Sequence, residues 1–351
     1  MKRLLNGARP STRSDRMTDI RRAALVLVAA AISAPVATAQ DVSNELYGEF
    51  RYSYNYAGAG DTTHWASANN ASRLGVRGEV SERGLTAFVD LQTGVNIDAE
   101  GTGGAFTQRY NFAGIRGGFG TVTVGRQSTA YKMSGLRLDP FYDSSTISAG
   151  AGVPISGLFA GSSFGLSNLT NGFADRTVAY VSPSLSGITL NAAAYIDADS
   201  DHDYALGLGY RGHGLDAGFQ YYDADRGRTW TQAVGIDHAL RLHAGYARSG
   251  AWSVGASFER LEAITGGAQN FLYTVATLNP TRRLLMAGAV GHVGDDRDVQ
   301  AITGTGFHLG VFYTLFQQAR LHALYSRVNT DGNPDRSNVA LGLVYQFSIK
   351  P

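Results

Sequence analysis

The chain has 351 residues, 44% of them hydrophobic and 17% charged, with a formal net charge of +1, 44 glycines, 18 tyrosines and no cysteine. Without cysteine there are no disulfides or thiolate metal sites, and the near-neutral balance lacks the clustered basic surface a nucleic-acid partner needs. The eight histidines are scattered without paired ligand spacing, so no metal or other cofactor is expected.

Residues 1–39 read as a secretory signal peptide. Arg21 and Arg22 precede the apolar run from Ala23 to Ser33, Pro35 follows, and Ala37-Thr38-Ala39 has the small-x-small form of a cleavage site. Met17 would give a more typical start than Met1. Setting residues 1–39 aside removes seven Lys/Arg and two Asp/Glu, leaving 23 basic and 27 acidic residues and a net charge of −4. Beyond the leader, no apolar stretch approaches the roughly 18 residues of a membrane helix.

Residues 40–351 are expected to form a β-barrel, because alternation of period two runs through nearly all of them. From Glu45 to Tyr56, Leu46, Phe50, Tyr52, Tyr54 and Tyr56 share one face, with Glu49, Arg51, Ser53 and Asn55 on the other. Arg73 to Val80 and Leu85 to Ile97 repeat the pattern, with Arg73, Arg77 and Asp90 on polar faces. The rhythm stops between Gln127 and Gly172, a Gly-, Ser- and Ala-rich interval with no sustained helical period. A connection this long in a compact fold is expected to be functional, here a loop folded into the barrel lumen to narrow it. Thr229 to Arg248 reads as one strand, because Val234, Ile236, Leu240, Leu242, Ala244 and Tyr246 keep one phase, broken only at His238. The last strand sets Val339, Leu341, Leu343, Tyr345 and Phe347 against Asn338, Ala340, Gly342 and Gln346.

A soluble sandwich would show the same alternation, but three features favour a membrane barrel. Hairpin follows hairpin through almost the whole chain. Tight turns (Ser81 to Gly84, Gly117 to Gly120, Ser249-Gly250) alternate with longer ones (Ala57 to Asn70, Asp331 to Arg336), as short periplasmic turns and long external loops do. Aromatic residues such as Tyr221, Tyr222 and Tyr345 sit near strand ends, where a membrane interface favours them. The count is sixteen antiparallel strands, which leaves each about 10 membrane-spanning residues.

The motifs SRLGVRGE at 72–79, FVDLQTGVNID at 88–98, FAGIRGGFGTVTVGRQ at 112–127, DPFYD at 139–143, VAYVSPSLSG at 178–187 and LGLVYQF at 341–347 resemble the general diffusion porins of Gram-negative outer membranes. That resemblance implies a sixteen-stranded barrel, usually a homotrimer, whose third external loop, here 127–172, forms the constriction. It implies passive diffusion of small hydrophilic solutes and ions, export through the periplasm, contact with outer-membrane lipid and lipopolysaccharide, and handling by the barrel assembly machinery through the strand ending at Phe347. By position, Arg73, Arg77 and Arg109 match the wall arginines of the pore constriction, and Asp139 and Asp143 the opposing loop carboxylates. Relatives carry a third wall arginine before the VAYVSP-like strand, here missing or displaced to Arg176. Arg126 matches a position near the subunit contact and keeps the outward phase of Val122 and Val124. Because the wall arginines outweigh the loop acids, a weak anion preference is expected.

Two other porin-like readings stay open, a substrate-selective channel and a non-conducting structural or adhesive barrel. A barrel hydrolase would need Ser, His and an orienting partner together facing lipid. His238 is the one histidine at an apolar phase, with few serines near it, so no enzyme is expected.

Overall fold

The computed structural model describes residues 41–97, 106–144, 148–149, 153–154, 163–167, 170–196, 202–224, 236–264, 266–294, 303–332 and 334–350. The signal peptide expected at residues 1–39, and the alternative start at Met17, lie outside the described residues.

Strand β1 (Asp41–Ala59) turns at Gly60 and Asp61 into β2 (Thr62–Asn69), and β3 (Arg73–Glu82) continues that line after an interruption at Asn70 to Ser72. β1 pairs with β2 from Tyr52 to Ala59 and with β3 from Asp41 to Glu49, so β2 and β3 are two halves of one barrel strand. Then follow β4 (Leu85–Val95), β5 (Phe106–Gly117), β6 (Gly120–Ser128), helix α1 (Ala130–Leu136) and a short hairpin, β7 (Ser148–Ala149) with β8 (Val153–Pro154). The wall resumes with β9 (Phe173–Val181), β10 (Ile188–Tyr195), β11 (Asp203–Gly212), β12 (Leu215–Asp223), β13 (Ile236–Arg248) and β14 (Trp252–Ala263). It ends with β15 (Ala268–Thr281), β16 (Leu284–Val293), β17 (Gly304–Phe316), β18 (Ala319–Thr330) and β19 (Arg336–Ile349).

Each wall strand pairs antiparallel with its neighbours in chain order, and β1 closes the ring on β19 from Leu46 opposite Ile349 to Ala59 opposite Arg336. Counting β2 and β3 once, the seventeen strands of this sheet make sixteen staves. Closure leaves no edge, so the backbone polar groups of the wall are satisfied strand to strand, as a bilayer requires. No described helix is long and apolar enough to cross a membrane.

The alternation sorts side chains as the sequence indicates. Tyr54, Trp65, Val76, Leu206, Leu242, Leu309 and Leu341 are exposed on the outside, while Ser53, Asn55, Asp90, Gln220 and Asn338 are buried on the inside. Consecutive left-handed residues at Arg83-Gly84, Ser186-Gly187 and His213-Gly214 make tight hairpin turns that match strand twist.

Three details differ from expectation. Ala57 to Asn70 is a hairpin rather than a long loop, since β-branched and aromatic Thr62, Thr63 and Trp65 extend the pairing. β13 is continuous across Leu240-Arg241 as expected, but a register shift between Ile236 and His238 turns Ile236 to the buried face. The 127–172 interval contains a helix, α1, capped by Thr129, whose Oγ1 accepts from the Lys132 N–H at 2.9 Å. Seven residues including Ser134 and Gly135 are too few to show a helical period in sequence.

Candidate functional site

The segment between β6 and β9 leaves the wall where Ser128 pairs with Phe173, and its described limbs pack on the inward-facing side chains of β12 to β18. The wall is shaped to seat it. Leu138 approaches Gly245 and Gly255, Phe141 lies on Gly310, Phe164 on Gly306, and a Cβ at Gly291 would overlap the Phe164 carbonyl. Small Ala287 and Ala289 floor the same groove. The glycines are therefore required by close approach, not by turns.

Polar anchors fix the limbs. Arg241 on β13 and Glu259 on β14 form a buried ion pair at 2.5 Å. The Arg241 guanidinium donates to the Tyr131 carbonyl at 2.9 Å and Thr170 Oγ1 at 3.1 Å, while Glu259 accepts from the Tyr131 hydroxyl at 3.0 Å and Thr170 Oγ1 at 2.8 Å. One pair thus holds the outgoing limb at Tyr131 and the returning limb at Thr170. Asp139 ties the limbs to each other. Its carboxylate accepts from Ser163 N and Oγ, both at 2.8 Å, from Phe141 N at 3.0 Å and from the Tyr273 hydroxyl at 3.1 Å. Burial pushes the Asp139 carboxyl up, and these donors oppose that shift. Two histidines complete the attachment. His308 Nε2 accepts from Phe164 N–H at 3.1 Å, and His322 Nε2 donates to the Ser144 carbonyl at 2.8 Å.

Facing the outgoing limb stands a cluster of charges. Arg73 bridges Glu49 and Asp143, the latter at 3.0 Å. Arg51 pairs with Glu49 at 2.6 Å and donates to the carbonyls of Tyr142 and Asp143, each at 3.2 Å. Arg109 donates to neutral Gln92 at 2.7 Å. The Phe173 ring gathers three cations, with Lys132 at 4.2 Å, Arg109 at 5.0 Å and Arg126 at 5.3 Å from its centroid. Burial, with Arg109, Arg73 and Arg126 adding repulsion against the attraction of Asp143, pushes the Lys132 ammonium down to about 7.

Among the residues singled out in the sequence, Arg73, Arg109 and Asp143 come together here. Arg77 stands apart, held between Glu45 and Asp90 at 2.9 Å each. Asp139 faces Ser163 and Tyr273 rather than the wall arginines. Arg176 is exposed at a left-handed bulge of β9, its carbonyl accepting from Ile196 N. Arg126 does not keep the expected outward phase: a register shift between Gly125 and Gln127 interrupts it, and the guanidinium pairs with Asp175 at 2.7 Å and shares the Phe173 ring with Lys132 and Arg109. Sequence reasoning left out Glu49, Arg51, Arg241 and Glu259, and counted Lys132 only in the net charge of the loop. The first two lay on the polar face of the first strand, where charges in a barrel interior could have been paired; the others carry no local signal.

Comparison with known proteins bears on what such a barrel is. The family model described as "Gram-negative porin" matches residues 23–348. No curated protein sequence matches the chain. Among solved structures, the anion-selective porin from Comamonas acidovorans is similar over 88% of this chain and 100% of its own, with 17% identity and a TM-score of 0.71. OmpF of Salmonella typhi, in complex with daunomycin, is similar over 87% and 97%, with 15% identity and a TM-score of 0.67. The loop L8 deletion mutant of OmpT of Vibrio cholerae is similar over 88% and 100%, with 18% identity and a TM-score of 0.64. At these identities the likeness is one of fold.

Proposed function

The chain belongs to the Gram-negative porin family, and from that premise we propose that it forms a water-filled outer-membrane pore for passive diffusion of small hydrophilic solutes and ions, weakly preferring anions. The short turns face the periplasm and the long loops the exterior. The 127–172 segment is the constriction loop, and the eyelet lies between it and the wall around Arg73 and Arg109.

The observation that carries the anion preference is the charge balance where loop meets wall. Arg51, Arg73, Arg109 and Lys132 stand against Glu49 and Asp143. The excess, two positive charges below about pH 7 and one above it where Lys132 is neutral, sits in a narrow, low-dielectric passage and outweighs dispersed surface acids. The anion-selective Comamonas porin in the comparison is consistent with this sign. Arg77, outnumbered by the carboxylates of Glu45 and Asp90, adds no net positive charge.

The pore works as one subunit of a homotrimer. Thr93, Gln108 and Asn111 line an outer groove with Leu74, Val76, Leu91 and Phe106. Neutral polar groups in an outward band are costly against lipid, so a subunit contact at β3 to β5 suits them better.

The test is conductance in planar bilayers under a salt gradient. A zero-current potential on the anion side, fading towards 1 M salt where screening length is about 3 Å, is expected. Exchanging Arg73 and Arg109 for Ala should move that potential towards cations. A wild-type pore that prefers cations refutes the assignment.

A further inference from the structure

Along β18 the inward set begins with Arg320 and continues through His322, Leu324, Ser326 and Val328, which are buried, while Leu321 faces outward. Arg320 is the second residue of this strand, next to the tight turn between Phe316 and Ala319, and so belongs to the short-turn mouth. Its guanidinium lies 4.9 Å from the centroid of the Phe312 ring. Phe312 packs in turn against Phe141 of the inward loop, centroids 6.0 Å apart. Arg320 therefore stands beneath the loop, on the side away from the long loops. In register, Arg51 and Arg320 flank Val344 from the two neighbouring strands.

Pairing sets Arg320 apart from the inward arginines around and below the loop; Arg336, which likewise makes no ion pair or side-chain hydrogen bond among the described residues, is buried at the long-loop end of β19. Arg51, Arg73, Arg77 and Arg241 each hold a carboxylate within an ion pair. Arg109 spends its Nε–H on Gln92. Among the described residues Arg320 makes no ion pair and no hydrogen bond; Arg51 and Glu49 are the charged groups close enough to act on it. A paired guanidinium presents a dipole whose field falls off quickly and whose donors are occupied. An unpaired one presents a full charge and a fork of free N–H donors.

We infer that Arg320 is a specificity-determining residue of the lumen, recruiting small inorganic anions from the short-turn side of the constriction. The inference rests on the channel reading above and adds a direction to it. A fixed charge near one mouth biases ion entry most when that mouth faces the dilute solution, where screening is weakest. Selectivity should then depend on which side of the membrane is dilute.

The experiment compares wild type with R320Q and R320K in planar bilayers, applying the same salt gradient in each direction. Orientation is read from an added S249C substitution, in a chain that has no other cysteine, by a polymer-linked thiol reagent too large to pass the pore, which reaches this exposed turn from one side. The wild-type zero-current potential should lie further to the anion side when the dilute solution bathes the short turns. R320Q should abolish the difference between the two directions while the pore still conducts, and R320K should keep it. A conducting wild type with no directional difference, or R320Q with the wild-type difference intact, overturns the inference and leaves the channel reading standing. A wild type that inserts without conducting sinks both.

Discussion

Lys132 is a buried cation whose nearest company is mostly cationic, and that gives the proposed constriction a pH response. The ammonium sits over Phe173 beside Arg109 and Arg126, with its affinity for a proton lowered to about 7. It is protonated below that value and neutral above it, so the eyelet loses one positive charge as pH rises. Anion preference should therefore weaken between about pH 6 and 8. K132Q should show the weaker preference at both ends and no change between them, read from zero-current potentials. The Arg241–Glu259 pair makes a different prediction. Removing one partner leaves a buried charge uncompensated, which costs about 3–5 kcal/mol. Glu259→Ala should release Tyr131 and Thr170, seen as a lower unfolding temperature of the detergent-solubilised protein and noisier single-channel current. E259Q, which keeps acceptors for Tyr131 and Thr170, should do so less.

At the scale of the element, the inward segment is held by shape as well as charge. Its apolar residues Leu138, Phe141 and Phe164 enter hollows made by Gly245, Gly255, Gly306 and Gly310 on strands distant in sequence. Gly291 is the tightest of these seats because backbone meets backbone, and no side-chain rotation relieves the overlap. G291A should displace the returning limb at a cost on the order of 1–3 kcal/mol, the range for overpacking. The expected readout is an altered single-channel conductance with the barrel still folded. An unchanged conductance in folded G291A would mean that this limb does not bound the passage. G288A makes the control, since a Cβ there meets nothing closer than 3.5 Å.

Closure governs the whole molecule. β1 pairs with β19 through fourteen registered positions, so no strand edge is left to fray and the outward apolar surface is continuous around the wall. Backbone groups in lipid have no water to turn to, which makes opening cooperative and costly. The purified protein should be rich in β-structure by circular dichroism and require detergent for solubility. It should run as an oligomer that shifts to a faster monomer band only after heating. A helical spectrum, or a monomer soluble without detergent, would contradict the architecture.

The sequence by itself determined the barrel. Side-chain period in a strand is two, so each alternating run declares which residues meet lipid and which meet the interior, and the tight-turn glycines mark where it reverses. That is why Tyr54, Val76 and Leu341 outside, and Asn55, Asp90 and Asn338 inside, could be read before any coordinates. The same logic carried Arg73 and Arg109 to the inner wall, and the lost rhythm between Gln127 and Gly172 marked the segment that leaves it. Only the tertiary structure decided what those charges face. Arg77 is cancelled by Glu45 and Asp90 on neighbouring strands, Asp139 turns to Ser163 and Tyr273, and Glu259 meets Arg241 on the adjacent strand beneath Thr170. Local pattern fixes the side of a strand on which a residue lies. Its partner across the lumen depends on strand register, barrel closure and the path of the loop, which join residues far apart in sequence: His322 and Ser144 are 178 positions apart, and Gln346 and Glu49, across the closing seam, 297.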